Sequence, residues 1–91
     1  MKKHLLISGI VQGVGFRHWL YLKATEKNIH GWVKNKATGE VEALLIGHDD
    51  DVNNVIELCK KGPSSSKVEQ IKIQNYQQKY SKKFFDIIGT S

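Results

Sequence analysis

The chain has 91 residues, a formal net charge of +5, 40% hydrophobic and 25% charged residues, and one cysteine, Cys59. That size and composition fit a single globular domain, residues 1–91, with one core. They leave no internal disulfide and no apolar run long enough to span a membrane, and Met1-Lys2-Lys3 leads into alternation where a signal peptide would run apolar; a reducing cytoplasm and a monomer are expected. The positive balance points to an anionic partner, but the lysines are scattered with no block longer than two, which speaks against a dedicated nucleic-acid stripe.

Leu5, Ile7, Gly9 and Val11 share one parity, so Leu5 to Val11 reads as a first strand. Trp19 to Asn28 reads as a helix whose buried face takes Phe16, Leu20 and Ala24, with Asn28 as a left-handed cap. Gly31 to Lys36 and Val41 to Ile46 are predicted strands joined by the turn Ala37-Thr38-Gly39-Glu40. Asp49-Asp50-Asp51 caps a second helix whose stripe is Val52, Val55, Ile56 and Cys59, and Gly62-Pro63 stops it. Lys67 to Tyr76 and Lys83 to Ile88 give two final strands, with Ser64-Ser65-Ser66 and Gln74 to Ser81 as polar connections. The order β-α-β-β-α-β plus one terminal strand predicts an α+β, ferredoxin-like sandwich, with two helices packed on one face of a mostly antiparallel sheet.

Between the first strand and the first helix lies Val11-Gln12-Gly13-Val14-Gly15-Phe16-Arg17, which holds the only arginine in a chain whose other thirteen basic residues are lysine. Arginine offers a rigid fork that fits two phosphate oxygens at once, whereas lysine is a point charge. A glycine-bearing strand-to-helix loop aims several backbone N–H groups at one point, and the helix dipole adds to them. Together these describe a cradle for a phosphate or similar oxyanion; taken alone, the same loop could be a tight turn beside a surface arginine. In the expected topology the hairpin strand returns close to this loop, a placement that allows Asn35 to face Arg17.

Other chemistries find less support. His4, His18, His30 and His48 lack metal-ligand spacing, so no metal site is expected. Asp49 to Asp51 read as helix caps ahead of a magnesium site, Trp19, Trp32, Phe84 and Phe85 as core ahead of base-stacking platforms, and Cys59 as a buried structural thiol ahead of a nucleophile. Glu26 and Glu57 have no partner carboxylate for paired acid catalysis. His18 is the one candidate base beside the loop, and if it served, the rate would fall as acid protonates it.

Two stretches resemble the acylphosphatases. The first is Ile7-Ser8-Gly9-Ile10-Val11-Gln12-Gly13-Val14-Gly15-Phe16-Arg17; the second is Gly31-Trp32-Val33-Lys34-Asn35, followed by Gly39, Val41 and Gly47 at the family's spacing. Gly62-Pro63 and Phe85-Asp86-Ile87 extend the likeness over nearly the whole chain. Ile10 stands where a polar or basic residue is common, and Gly89-Thr90-Ser91 run past the usual end. The resemblance implies hydrolysis of acyl phosphates to a carboxylate and inorganic phosphate, by in-line attack of water, without metal or cofactor. It implies that Arg17 and the backbone N–H groups of Gln12, Gly13, Val14, Gly15 and Phe16 bind the phosphate, and that Asn35 positions the water. Inorganic phosphate is then product and competitive inhibitor; neither nucleic acid nor membrane is an expected partner. Two other readings stand beside this one: a catalytically silent phosphate-binding module of the same build, and a basic ferredoxin-like RNA-binding domain, which would need an exposed aromatic strand motif that no strand here carries.

Overall fold

The structure is a computed structural model that describes residues 1–90. The elements follow in the order β1 (Lys2–Ile10), α1 (Phe16–Glu26), β2 (His30–Asn35), β3 (Val41–Ile46), α2 (Asp49–Lys61), β4 (Lys67–Asn75) and β5 (Phe85–Ile87). The strands form one five-stranded sheet in the order β4-β1-β3-β2-β5. Every neighbouring pair is antiparallel except β2 and β5, which run parallel. This is the expected β-α-β-β-α-β order with its extra strand added at the β2 edge.

Register explains the two faces. Leu5 lies opposite Ala43, which lies opposite Val33, and this row with Ile7, Val41 and Leu45 faces the helices. Helix α1 adds Phe16, Leu20 and Ala24 to the same core, and α2 adds Val52, Val55, Ile56 and Cys59. The intervening row, His4–Leu44–Trp32, points the other way. There Leu44 is still fully buried, flanked by the His4 and Trp32 rings, whose centroids are 6.3 Å apart. Glu42 on that face meets His4 Nε2 at 2.6 Å and Lys34 Nζ at 3.5 Å. Burial works to raise the Glu42 carboxyl, but the hydrogen bond from His4 and the charges of Lys34, His4 and Lys36 outweigh it and hold the group below its ordinary value of 4.5.

Several element limits differ from the sequence expectation. Helix α1 starts at Phe16, three residues before Trp19, because Gly15 in a left-handed conformation (φ 79°) serves as its N-cap. It ends at Glu26, and Asn28 takes the left-handed conformation two residues later (φ 55°). Val11 leaves β1 yet stays buried, and β5 is only three residues long because its ladder matches Gly31 to Val33 alone. Phe84 is not core: the residue is 53% exposed, and its carbonyl accepts from the Gly31 N–H. Trp19 and Trp32 are half-buried. The N-cap of α2 is His48, and no side chain caps it, so Asp49 to Asp51 act on the helix dipole by charge and not as caps.

This packing makes two statements about stability that can be tested. A Cβ on Gly31 would stand 1.9 Å from the Leu44 carbonyl oxygen in the central part of the sheet, where neither strand can retreat. Gly31→Ala should therefore cost about 2–4 kcal/mol, read from the urea midpoint. Glu42 has a depressed pKa, so its contribution is present above the unfolded value and is lost as the pH falls through the folded one. Urea titrations of the wild type should show stability falling below pH 4.5, and Glu42→Gln should flatten that loss.

Candidate active site

The site begins with the turn from β1 into α1. Gly13 (φ 73°) and Gly15 (φ 79°) both sit in the left-handed region that glycine enters without strain. Space beside each is open, with no atom within 4 Å of a built Cβ. The second of them is the N-cap of α1, and having no side chain it cannot accept from the first-turn N–H groups. The N–H groups of Phe16, Arg17 and His18 precede the first intrahelical bond, which Trp19 donates to the Gly15 carbonyl at 3.0 Å. No acidic residue lies in this first turn, in contrast to α2, where three aspartates face the same end of the dipole. The N-terminus of α1 is thus left open, with no side-chain cap and no acidic residue at the positive end of its dipole.

Arg17 is the second residue of α1, half-buried, and makes no ion pair among the described residues. Asn35, the last residue of β2, shares the parity of Val33 and therefore faces the helices. Its Oδ1 is buried and has no hydrogen-bond partner among the described residues. A buried acceptor left unmatched is uncommon and costs about 1–3 kcal/mol, and no group of the described chain meets this one, so it is free to accept a hydrogen bond from outside the chain. Gln12, Gly13, Gly15, Phe16, Arg17 and Asn35 together line one cleft of about 260 Å³, with Val11, His18 and Ile87. Of the residues expected at the site only Val14 does not line it; its side chain packs onto the core, which leaves its backbone N–H as its contribution.

Two features escape the sequence reading. Gln12 uses its side chain as well: Nε2 donates to the carbonyls of Lys36 and Glu40, both at 2.8 Å. Ile87 reaches the cleft from β5, since it lies opposite Val33, two residues from Asn35. A three-residue parallel pairing leaves little trace in a sequence. His18 lines the cleft from the exposed side and stacks on Tyr21, with ring centroids 6.3 Å apart at 17°.

Other reactive groups are elsewhere. Among the described residues no three His, Cys, Asp or Glu side chains converge as metal ligands. No helix among the described residues is long and apolar enough to cross a membrane. Cys59 is buried in the core, and burial pushes its thiol up to about 12, so it is no nucleophile. In native protein a thiol reagent such as Ellman's should leave Cys59 unmodified over an hour at neutral pH, with stoichiometric labelling only after denaturant is added.

Known proteins that resemble this chain in sequence and in fold share one description. The sequence model described as Acylphosphatase matches residues 3–87. An acylphosphatase of Alcanivorax borkumensis is 47% identical over 72 residues, covering 79% of this chain and 78% of that protein. One from Rhodopseudomonas palustris is 36% identical over 93 residues, covering 97% and 94%. The crystal structure of acylphosphatase from Bacillus subtilis superposes with a TM-score of 0.91 at 32% identity, over 96% of this chain and 97% of that one.

Proposed function

Because the chain belongs to the acylphosphatase family and is a hydrolase of acyl phosphates, we propose that Arg17, the loop amides and Asn35 carry the reaction, with no metal or cofactor. The observation that supports this best is the unpartnered, buried Oδ1 of Asn35 in the cleft that also holds Arg17 and the open N-terminus of α1. An anion receptor and a buried hydrogen-bond acceptor are the two parts that water attack on a bound phosphate requires.

In this reading the phosphate sits on the amides of Gln12 to Phe16, and the Arg17 fork takes two of its oxygens. Phosphoryl transfer asks the protein mainly for position and charge. Arg17 and the helix dipole become more valuable as negative charge spreads over the equatorial oxygens in the transition state. Asn35 Oδ1 accepts a hydrogen bond from the attacking water and holds it in line with the leaving oxygen. Water forms the new P–O bond as the bridging P–O bond breaks, and its electron pair leaves with the carboxylate. A carboxylate is a stable leaving group, so no acid is needed to protonate it. An amide is no base, so the proton of the water passes to a phosphate oxygen. The chain acts as a single monomeric domain of the cytoplasm, with its one thiol buried, and inorganic phosphate competes with substrate for the cradle.

The test is hydrolysis of benzoyl phosphate, followed by ultraviolet absorbance with chelator present. Arg17→Gln should lower kcat/KM on the order of 10³-fold and weaken phosphate inhibition. Arg17→Lys should recover little of either, because it lacks the fork. Asn35→Ala should lower kcat roughly 10²–10³-fold and leave the inhibition constant for phosphate nearly unchanged. Wild-type turnover in Asn35→Ala would end the water assignment, and a folded wild type that binds phosphate without turnover would identify a silent module. Between roughly pH 6 and 8 the rate should hold a plateau; an acid limb abolished by His18→Gln would instead make His18 the base.

A further inference from the structure

The chemistry proposed above requires the phosphate and the water to be held in one frame, yet they belong to different parts of the fold. The phosphate cradle is on the β1–α1 loop. Asn35 is the last residue of β2, and the chain leaves the sheet directly after it. Lys36 and Glu40 close the following turn: the Lys36 N–H donates to the Glu40 carbonyl at 2.8 Å, and the Gly39 N–H to the Lys36 carbonyl at 3.0 Å. Strand β1 does not pair with β2, because β3 lies between them. Sheet hydrogen bonds therefore cannot tie the loop to Asn35 directly.

The side chain of Gln12 supplies that tie. Its Nε2 donates at 2.8 Å to the carbonyls of both Lys36 and Glu40, the pair that closes the turn. Gln12 is itself part of the cradle loop, next to Gly13. One amide group thus spans from the phosphate-binding loop to the residue adjacent to Asn35, in a half-buried position where few waters compete. A carboxylate cannot do this, since it has no hydrogen to donate, and an asparagine is one methylene shorter. We infer that Gln12 is a positioning residue: its carboxamide clips the β2–β3 turn to the cradle loop and so fixes where the Asn35 carbonyl oxygen holds the water relative to the bound phosphate. The inference rests on the assignment of Asn35 to the water and adds what keeps that residue in register.

Misplacing a reacting group by about 1 Å can cost 10²-fold in rate. Gln12→Met keeps the length and removes both donors. It should lower kcat about 10–100-fold while the inhibition constant of inorganic phosphate changes less than about threefold, because the backbone amides of the loop are untouched. Gln12→Glu adds a pH test. As a carboxylate it faces two carbonyls and should be slower than Gln12→Met at neutral pH; once protonated it regains one donor, so its kcat should climb as the pH falls towards the carboxyl pKa, while Gln12→Met stays level. A purely structural role would not produce that rise.

The deciding measurement is a double-mutant cycle with Asn35→Ala, on benzoyl phosphate, each variant checked for a cooperative unfolding transition. If Gln12 acts through Asn35, adding Gln12→Met to Asn35→Ala should slow the enzyme less than about twofold further. If Asn35→Ala is slow and Gln12→Met costs the same factor with or without it, the clip is overturned while the water assignment stands. If Asn35→Ala turns over like wild type, the water assignment and the clip fail together. A Gln12→Met variant that loses phosphate affinity in proportion to kcat would also overturn the clip, because it would place Gln12 in the cradle alone.

Discussion

The rest of this structure depends on one tight reversal. Strand β1 ends at Ile10 and helix α1 begins at Phe16, so Val11 to Gly15 must turn an extended chain into a helix. Two residues in the left-handed region make that possible, and both are glycine. The same choice leaves the helix without a side-chain cap: glycine has no oxygen to accept from the first-turn N–H groups, and a Ser, Thr, Asp or Asn would be strained at φ 79°. The uncapped end is held by packing instead. Val11 and Phe16 bracket the loop and are both buried in the core, so the backbone between them is anchored at each end without using its own N–H groups. A helix start anchored by apolar contacts, with the Gln12 side chain as the loop's polar tie, keeps its first-turn N–H groups open.

Charge distribution follows the same logic. Each helix has a positive N-terminal end, and only one of the two is neutralised. Asp49, Asp50 and Asp51 occupy the first turn of α2, whereas the first turn of α1 carries Arg17 and no acid. The one partly buried carboxylate with a depressed pKa, Glu42, sits on the far face of the sheet with His4 and Lys34, so the sheet separates it from the cleft. A carboxylate beside Arg17 would compete with phosphate for the guanidinium. With no such competitor at the cleft, and with every other basic residue a lysine, Arg17 is the one side chain whose geometry matches two oxygens of a single group.

Much of this was legible from the sequence, for identifiable reasons. The helix stripes Phe16–Leu20–Ala24 and Val52–Val55–Ile56–Cys59 repeat with helical period, and the buried rows of β1 and β3 alternate, so element types and the core were readable. The loop was readable because glycine at two positions and arginine just after them carry distinct physical meanings. Boundaries were less so. Phe16 to His18 have no propensity signal separating them from the loop; the helix starts there because Gly15 adopts a cap conformation, which is a property of the whole turn. Phe84 looks like core on composition, yet the parallel pairing of β5 begins one residue later and turns it outward. Contacts across the chain were out of reach: Gln12 to Lys36 and Glu40 spans 24 and 28 residues, and no local pattern encodes it.

The cleft also determines what kind of selectivity the enzyme can express. Its polar side chains and open amides lie together in the cleft, at the end proposed to take the headgroup. Among the apolar lining residues, Val11 and Phe16 are only 1% exposed and offer almost no surface, whereas Ile87 is 39% exposed. The acyl end of a substrate therefore meets a rim, made by Ile87 and the exposed ring of His18, and no enclosed pocket. A contact of that kind buries a few methylenes at most, each contributing about 0.8 kcal/mol, and the gain would be nearly the same in ground and transition states. Binding energy that could be used for catalysis comes from the phosphate, which is common to every acyl phosphate. If the phosphate binds as proposed, such a site would discriminate by headgroup more than by acyl chain, and comparable rates for different acyl phosphates are the expected outcome.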